Sequence, residues 1–255
     1  MARCNRVIFW DFDGTLGFRR DGMWSRAMYE IVVGMEPATD LTPESFRPYL
    51  REGFPWHQPE VPHPELDTAP RWWARVTPMF RRAYIALGIS PDRAGVMADM
   101  VPTCYTDPTR WSLFPDTVPT LTYLASEGWS HAIISNHVPE LPGIVEHLGL
   151  SPLLAGIFNS AALGYEKPNR HIFDLAIEAL DRPRHAWMVG DNVTADVLGA
   201  CAAGIPGILV RGFHPASLRC CPDLLAAGQC ILENHRMGVA HDLPVAGSGY
   251  RWDAS

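Results

Sequence analysis

Apolar and polar positions along the chain follow two regimes, and the point where one gives way to the other sets the expected architecture. The first apolar run, Val7-Ile8-Phe9-Trp10, is bounded by polar residues and reads as a short strand buried on both faces, as in the interior of a parallel sheet. After Leu16 the pattern turns helical, with stretches over residues 23–35 and 43–50, a Pro-rich loop over 53–70, and further helices over 71–87 and 91–100. No convincing β-alternation is visible between Gly17 and Arg110, so this segment is expected to be a helical domain inserted just after the first strand.

From Trp111 onward strands and helices alternate. A helix over 116–127 ending at Gly128 precedes a strand over 131–134 that stops at Ser135-Asn136. A helix over 141–148 and a short strand over 156–159 come next. Gly164-Tyr165-Glu166-Lys167-Pro168 then opens a helix with Ile172, Phe173, Ala176, Ile177 and Leu180 on one face. A strand over 186–189 ends in Gly190-Asp191-Asn192, a helix over 195–203 closes with Gly204 and Pro206, and a last strand covers 207–210. This alternation predicts a parallel sheet with right-handed crossovers. A helix around 222–227 follows, and residues 237–255 read as a tail.

Composition narrows the function classes. A hydrophobic fraction of 47% with 19% charged residues is that of a soluble globular protein with ample core, and 255 residues suit one large domain or a core with an insertion. A formal net charge of -7 without a basic block argues against general nucleic-acid binding. Neither a leader-like segment nor a membrane-length apolar run is evident, so a cytoplasmic protein without membrane association is expected. The six cysteines include no C-x-x-C pair and read as reduced thiols; a soft-metal site of Cys220, Cys221, Cys230 and His235 fits zinc spacing poorly.

The candidate chemistry begins at Asp11 and Asp13. Asp11 falls at the carboxyl end of the first strand, where open α/β sheets place ligands, and Gly14 supplies the turn away. Their period-2 spacing directs both acids to one side. Two carboxylates held close at a dry sheet edge repel, which calls for a hard cation or a retained proton. Asp-x-Asp-Gly is also an ordinary turn sequence, so this stretch by itself leaves both readings open. An EF-hand loop fits poorly, because Thr15 and Gly22 stand where acids or amides are required. Further polar residues end other strands: Ser135 and Asn136, Lys167 ahead of its helix, and Asp191 with Asp196. In a parallel sheet these ends lie side by side.

The four segments DFDGTL, IISN, GYEKP and GDNVTAD, in this order at strand ends, resemble the motifs of the haloacid dehalogenase superfamily. The helical insertion resembles the cap of its subfamily I. The resemblance implies a Rossmann-like doubly wound parallel sheet with an inserted α-helical cap: a core over 1–16 and 111–236, a cap over 17–110, and the tail over 237–255. It implies a phosphatase acting on a small phosphorylated metabolite, with Asp11 as nucleophile forming an aspartyl phosphate. Mg²⁺ would take oxygens from Asp11, the backbone carbonyl of Asp13, and Asp191. Asp13 would serve as general acid and then base, which requires its pKa to rise by roughly 2 from about 3.9, a differential of roughly 3 kcal/mol. Lys167, the single lysine of the sequence, would neutralise Asp11 and a phosphate oxygen. Ser135 and Asn136 would complete the phosphate cradle, and Asp196 would orient Lys167 or a metal-bound water.

Within the superfamily, an acid at Asp13 favours phosphoester hydrolysis or transfer over dehalogenation, so a phosphomutase is the nearest competitor. An idle binding subunit would be expected to lack the nucleophile or the lysine, and both are present. A nucleotide-sugar transferase using Asp11 and Asp13 as a D-x-D pair would leave Lys167 and Asp191 without roles. In the insertion, Trp56, His57 and His63 lie on the Pro-rich loop and Trp72 and Trp73 open the next helix. Trp56 and His57 are candidates to touch substrate; packing under a long loop is the ordinary alternative. Arg71, Arg75, Arg81 and Arg82 read as a solvated face, and a monomer or homodimer is expected.

Overall fold

The computed structural model describes residues 5–237. The chain runs β1 (Arg6–Trp10), β2 (Gly17–Arg19), α1 (Trp24–Met35), α2 (Pro43–Phe46), α3 (Ala69–Ala86) and α4 (Pro91–Thr106). It continues through β3 (Trp111–Leu113), α5 (Thr117–Ser126), β4 (Ser130–Ser135), α6 (Leu141–His147), β5 (Leu154–Asn159), α7 (Ser160–Leu163) and α8 (Arg170–Ala179). Then come β6 (His185–Gly190), α9 (Gly199–Ala202), β7 (Gly207–Val210), β8 (Cys220–Cys221) and α10 (Leu224–Arg236).

Six strands form one parallel sheet in the order β5-β4-β1-β6-β7-β8. The alternation read in β1 is realised on its two faces. Ile8 and Trp10 join an apolar cluster on one side of the sheet, and Val7 and Phe9 join a second cluster on the other. Because β1 is central, all four side chains are fully buried. The sheet order reverses direction of winding at β1, which places the carboxyl ends of β4, β1 and β6 next to one another at the switch point.

The insertion is helical, as expected, but it is entered and left through a two-stranded antiparallel ribbon. β2 pairs with β3 at Gly17↔Leu113, Phe18↔Ser112 and Arg19↔Trp111. This corrects the expectation that no strand lies between Gly17 and Arg110: three residues are too few to display alternation, and the pairing joins positions about ninety apart. The helix expected over 43–50 is α to Phe46 and then tightens to a 3₁₀ turn over Arg47–Leu50, where Pro48 has no N–H to donate. The helix expected over 91–100 runs to Thr106 and accommodates Pro102, because its face of Met97, Ala98, Val101 and Tyr105 is buried. The helix placed around 222–227 extends over Leu224–Arg236. The helix placed at 195–203 opens instead as a wide π-type turn over Val193–Leu198, capped by the Asn192 side chain. Beyond Met237, the expected tail lies outside the described residues.

Apolar packing is continuous between insertion and sheet. One cluster contains Ile8 and Trp10 of β1 together with Trp72, Phe80 and Met97 of the cap helices. Polar ties add to it. His63 Nε2 lies 3.0 Å from Glu166 Oε1, the His63 N–H donates to the Gly164 carbonyl at 2.9 Å, and Trp73 Nε1 donates to Glu140 Oε1 at 2.9 Å. No described helix is long and apolar enough to cross a membrane.

Candidate active site

Three adjacent strands deliver the first elements of the site. β1 carries Asp11 just past its end, and the Asp11 N–H donates to the Val189 carbonyl at 2.9 Å, prolonging the ladder with β6. β4 ends at Ser135, whose hydroxyl donates to Asp11 Oδ1 at 2.8 Å. β6 ends at Gly190, immediately before Asp191. Lys167, from the loop ahead of α8, reaches the same point: its ammonium donates to Asp11 Oδ1 at 2.8 Å, Asp196 Oδ1 at 2.6 Å and the Ile134 carbonyl at 2.8 Å. Three acceptors satisfy all three donors of an ammonium buried to 2% exposure. A planar guanidinium could not meet three acceptors placed in this way.

Electrostatics follow from that geometry. Burial works against the Lys167 charge, but Asp11 and Asp196 outweigh it and push its pKa up to about 12. Burial pushes Asp196 upward while Lys167 pulls it back, so the pair is held together by a short charge-assisted bond. Asp191 is raised by burial and by the Asp11 charge. Asp13 is held well above the usual carboxylate range, first by burial and then by Asp11 and Asp191, against the opposing pull of Lys167. Its Oδ1 is buried without a hydrogen-bond partner, and its Oδ2 lies 3.5 Å from His137 Nε2.

Each residue singled out from the sequence has a definite place. Asp11, Asp13, Lys167, Asp191 and Asp196 line one cleft of about 450 Å³. Asn136 lines it too, but its side chain clamps the backbone of Lys167, accepting from the Lys167 N–H at 2.7 Å and donating to the Lys167 carbonyl at 2.9 Å. Trp56 lines the cap wall of the cleft, together with Met23, Trp24, Pro59 and Tyr105. His57 is exposed and outside the cleft lining, one step along the 3₁₀ turn Pro55–His57 from Trp56. His63 is buried against Glu166 rather than presented to a ligand. The soft-metal alternative is not assembled: among the described residues the one cluster with metal-holding geometry is Asp11, Asp191 and Asp196, and His235 lies instead beside Arg6 and the Trp129 ring.

Sequence reasoning passed over His137, Trp24 and Tyr105. His137 directly follows the Ser135-Asn136 pair, which is a usable signal. Trp24 and Tyr105 stack face to face, centroids 3.5 Å apart, from opposite ends of the insertion, and no local pattern announces that contact.

The donor set fits a hard divalent cation. Oxygens of Asp11, Asp191 and Asp196 lie within 4.8 Å of one another, and Asp196 is already committed to Lys167 and to the Asn192 N–H. That leaves Asp11 and Asp191 as side-chain donors. Gly14 adopts φ +77°, and a Cβ there would sit 2.3 Å from Asp191 Oδ2, so the turn leaves room for that carboxylate to approach.

Comparison with known proteins is consistent with this arrangement. Residues 5–204 match the family model described as haloacid dehalogenase-like hydrolase. A phosphoserine phosphatase of Thermus thermophilus is 31% identical over 249 residues, covering 86% of this chain and 94% of that protein. A glyceraldehyde 3-phosphate phosphatase of Methanothermobacter thermautotrophicus is 35% identical over 101 residues, 38% of this chain and 44% of that protein. Among solved structures, a HAD-superfamily hydrolase, subfamily IA, variant 1, from Geobacter sulfurreducens has the same fold, with a TM-score of 0.62 at 14% identity, covering 90% of this chain and 98% of that one. With its Asp11, Ser135, Lys167 and Asp191 converging at the end of a parallel sheet beneath a helical insertion, the chain belongs to the haloacid dehalogenase-like hydrolase family and is an enzyme.

Proposed function

We propose that the protein is a Mg²⁺-dependent phosphatase that hydrolyses a small phosphate monoester through an aspartyl phosphate on Asp11. The observation that carries this reading is the orientation of the Asp11 carboxylate. Ser135 and Lys167 both donate to Oδ1, so the carboxylate is fixed in one pose, and no described group donates to Oδ2. A carboxylate held this way is a competent nucleophile toward phosphorus once the phosphoryl charge is neutralised.

Asp11, Asp191 and the Asp13 carbonyl are the groups that would hold Mg²⁺, which when bound supplies charge neutralisation to the phosphoryl oxygens. Lys167 holds the Asp11 carboxylate in line and offsets its charge. Asp13, whose pKa burial and its acidic neighbours push upward, donates a proton to the leaving alkoxide. The resulting carboxylate then takes a proton from the water that attacks the acyl phosphate, which releases phosphate and restores Asp11. The cap wall shields these steps from bulk water.

The test is phosphate release from a panel of small phosphate monoesters, with Mg²⁺ and with chelator, comparing the native chain with Asp11→Asn. Mg²⁺-dependent release that falls more than about 10³-fold in the variant is the expected result. Undiminished release by Asp11→Asn would reject Asp11 as nucleophile.

A further inference from the structure

The charges around the cleft are divided unevenly. The floor carries Asp11, Asp13, Asp191, Asp196 and Lys167, whereas the opposite wall is built from Met23, Trp24, Trp56, Pro59, Tyr105 and Val138. Among the described residues, Lys167 is the one Lys or Arg lining the cleft, and its three donors are already engaged. His137 also lines the cleft, but both ring nitrogens are already engaged there, Nε2 lying 3.5 Å from Asp13 Oδ2 and Nδ1 bonded to the Val138 carbonyl.

Nearby cap arginines are committed elsewhere. Arg19 is buried against Glu30, the Gly22 carbonyl and the Cys104 carbonyl. Arg26 and Arg110 also lie on Glu30. None of the three lines the cleft. A carboxylate or second phosphate on the leaving group would therefore lose water and meet no free Lys or Arg among the described residues.

The wall is also rigid. Phe54 stacks on Trp56 with centroids 4.4 Å apart and 12° between the planes, and Trp72 lies 6.0 Å from the same ring. Trp24 is held between Tyr105, at 3.5 Å and 5°, and Phe80, at 5.7 Å and 20°. Aromatic rings braced in this way offer apolar contact area at little entropic cost; Trp24, with a ring on each face, presents its edge, which leaves Trp56 as the ring able to offer a face.

We propose that the cap wall selects an uncharged leaving group with a flat apolar face, an aromatic alcohol or the C–H face of a neutral sugar ring, and rejects alcohols bearing a carboxylate or a second phosphate. This selectivity rests on the phosphatase reading above and names its substrate class. It differs from what the name of the phosphoserine phosphatase relative says of that protein, whose product alcohol carries a carboxylate.

Matched pairs test it directly. In the presence of Mg²⁺, kcat/KM is compared for benzyl phosphate against 4-carboxybenzyl phosphate, and for glucose 6-phosphate against glucose 1,6-bisphosphate. The same esters are titrated into Asp11→Asn, following quenching of tryptophan fluorescence. Each neutral member is expected to exceed its charged partner at least tenfold in both measurements, and the better neutral ester tells an aromatic leaving group from a sugar. Trp56→Arg and, independently, Met23→Arg place a cation on the wall and are expected to reduce these ratios at least tenfold. Ratios near one or inverted in the native chain, or ratios unmoved in both variants, would overturn the proposal. Preferential binding to Asp11→Asn without turnover by the native chain would reject the hydrolytic reading and leave the selectivity standing. Turnover without preference would do the reverse.

Discussion

At the scale of single residues, two positions have consequences that can be measured. The first is Gly14, where a methyl group would both strain a backbone at φ +77° and meet Asp191 Oδ2 at 2.3 Å. Gly14→Ala is expected to raise the Mg²⁺ concentration for half-maximal activity on the order of tenfold, because it displaces a carboxylate rather than removing it. An unchanged Mg²⁺ titration would show that Asp191 does not hold the metal. The second is His131 in β4, fully buried, which accepts from Trp10 Nε1 at 3.2 Å on Nδ1 and donates from Nε2 to the Leu121 carbonyl at 2.8 Å. Burial lowers its pKa to about 4, only partly opposed by the Leu121 carbonyl. A depressed folded-state value means stability is present above the unfolded pKa of about 6.5 and is lost as pH falls toward 4. Between pH 7 and pH 5 the loss from this ring is about 2 kcal/mol. Urea unfolding at the two pH values should show a slope shallower by that amount in His131→Gln, which can still accept and donate. The acids and the lysine of the site were legible in the sequence because they stand at fixed offsets from strand ends and turns. His131 was not, since its role depends on Trp10 of the neighbouring strand and on the Leu121 carbonyl, and His137 was signalled only by its place after Ser135-Asn136.

Elements are where the cap is tied to the sheet, and here sequence reading was least complete. The long strands could be read from four-residue apolar runs, but β2 and β3 have three residues each and derive their identity from each other. The Pro-rich loop was legible as a stiff loop, yet not its destination. It lies against the segment that presents Lys167: His63 pairs with Glu166, Pro64 approaches Gly164 so closely that a Cβ there would lie 2.6 Å from Pro64 Cα, and Asn169 Nδ2 donates to the Pro59 carbonyl at 3.1 Å. Among the described residues Glu166 Oε2 is buried without a hydrogen-bond partner, and His63 provides the one side-chain hydrogen bond to a nearly inaccessible carboxyl group. His63→Ala should therefore cost about 2–4 kcal/mol of stability, whereas His63→Gln, which can still donate, should restore part of it. Denaturant unfolding distinguishes these outcomes, and a native-like midpoint for His63→Ala would mean that the tie contributes nothing. Because Glu166 adjoins Lys167, the same substitution should lower kcat alongside stability.

For the whole molecule, the sequence conveyed that a helical segment interrupts a parallel sheet, but not how tightly the two are joined. An apolar interface has the same composition as any core, so its position cannot be read from periodicity. In the folded chain a line of rings runs from cap to cleft floor: Trp24 stacks on Tyr105, Tyr105 meets Trp111 edge-on at 5.7 Å, Trp111 lies 5.7 Å from Phe12, and Phe12 meets His137 at 5.8 Å beside Asp13. The same apolar cluster includes cap helices and β1, so the two share one core. Cap and sheet are therefore expected to unfold together. Native-state hydrogen exchange at increasing denaturant is the measurement, comparing peptides of α3, Ala69–Ala86, with those of β4, Ser130–Ser135. Opening free energies that agree within about 1 kcal/mol are predicted, since exposing either surface strips the shared cluster. Exchange in α3 at clearly lower free energy than in β4 would instead establish the cap as a separable unit. Substrate entry would then proceed through cap unfolding rather than through a cleft held by the aromatic line.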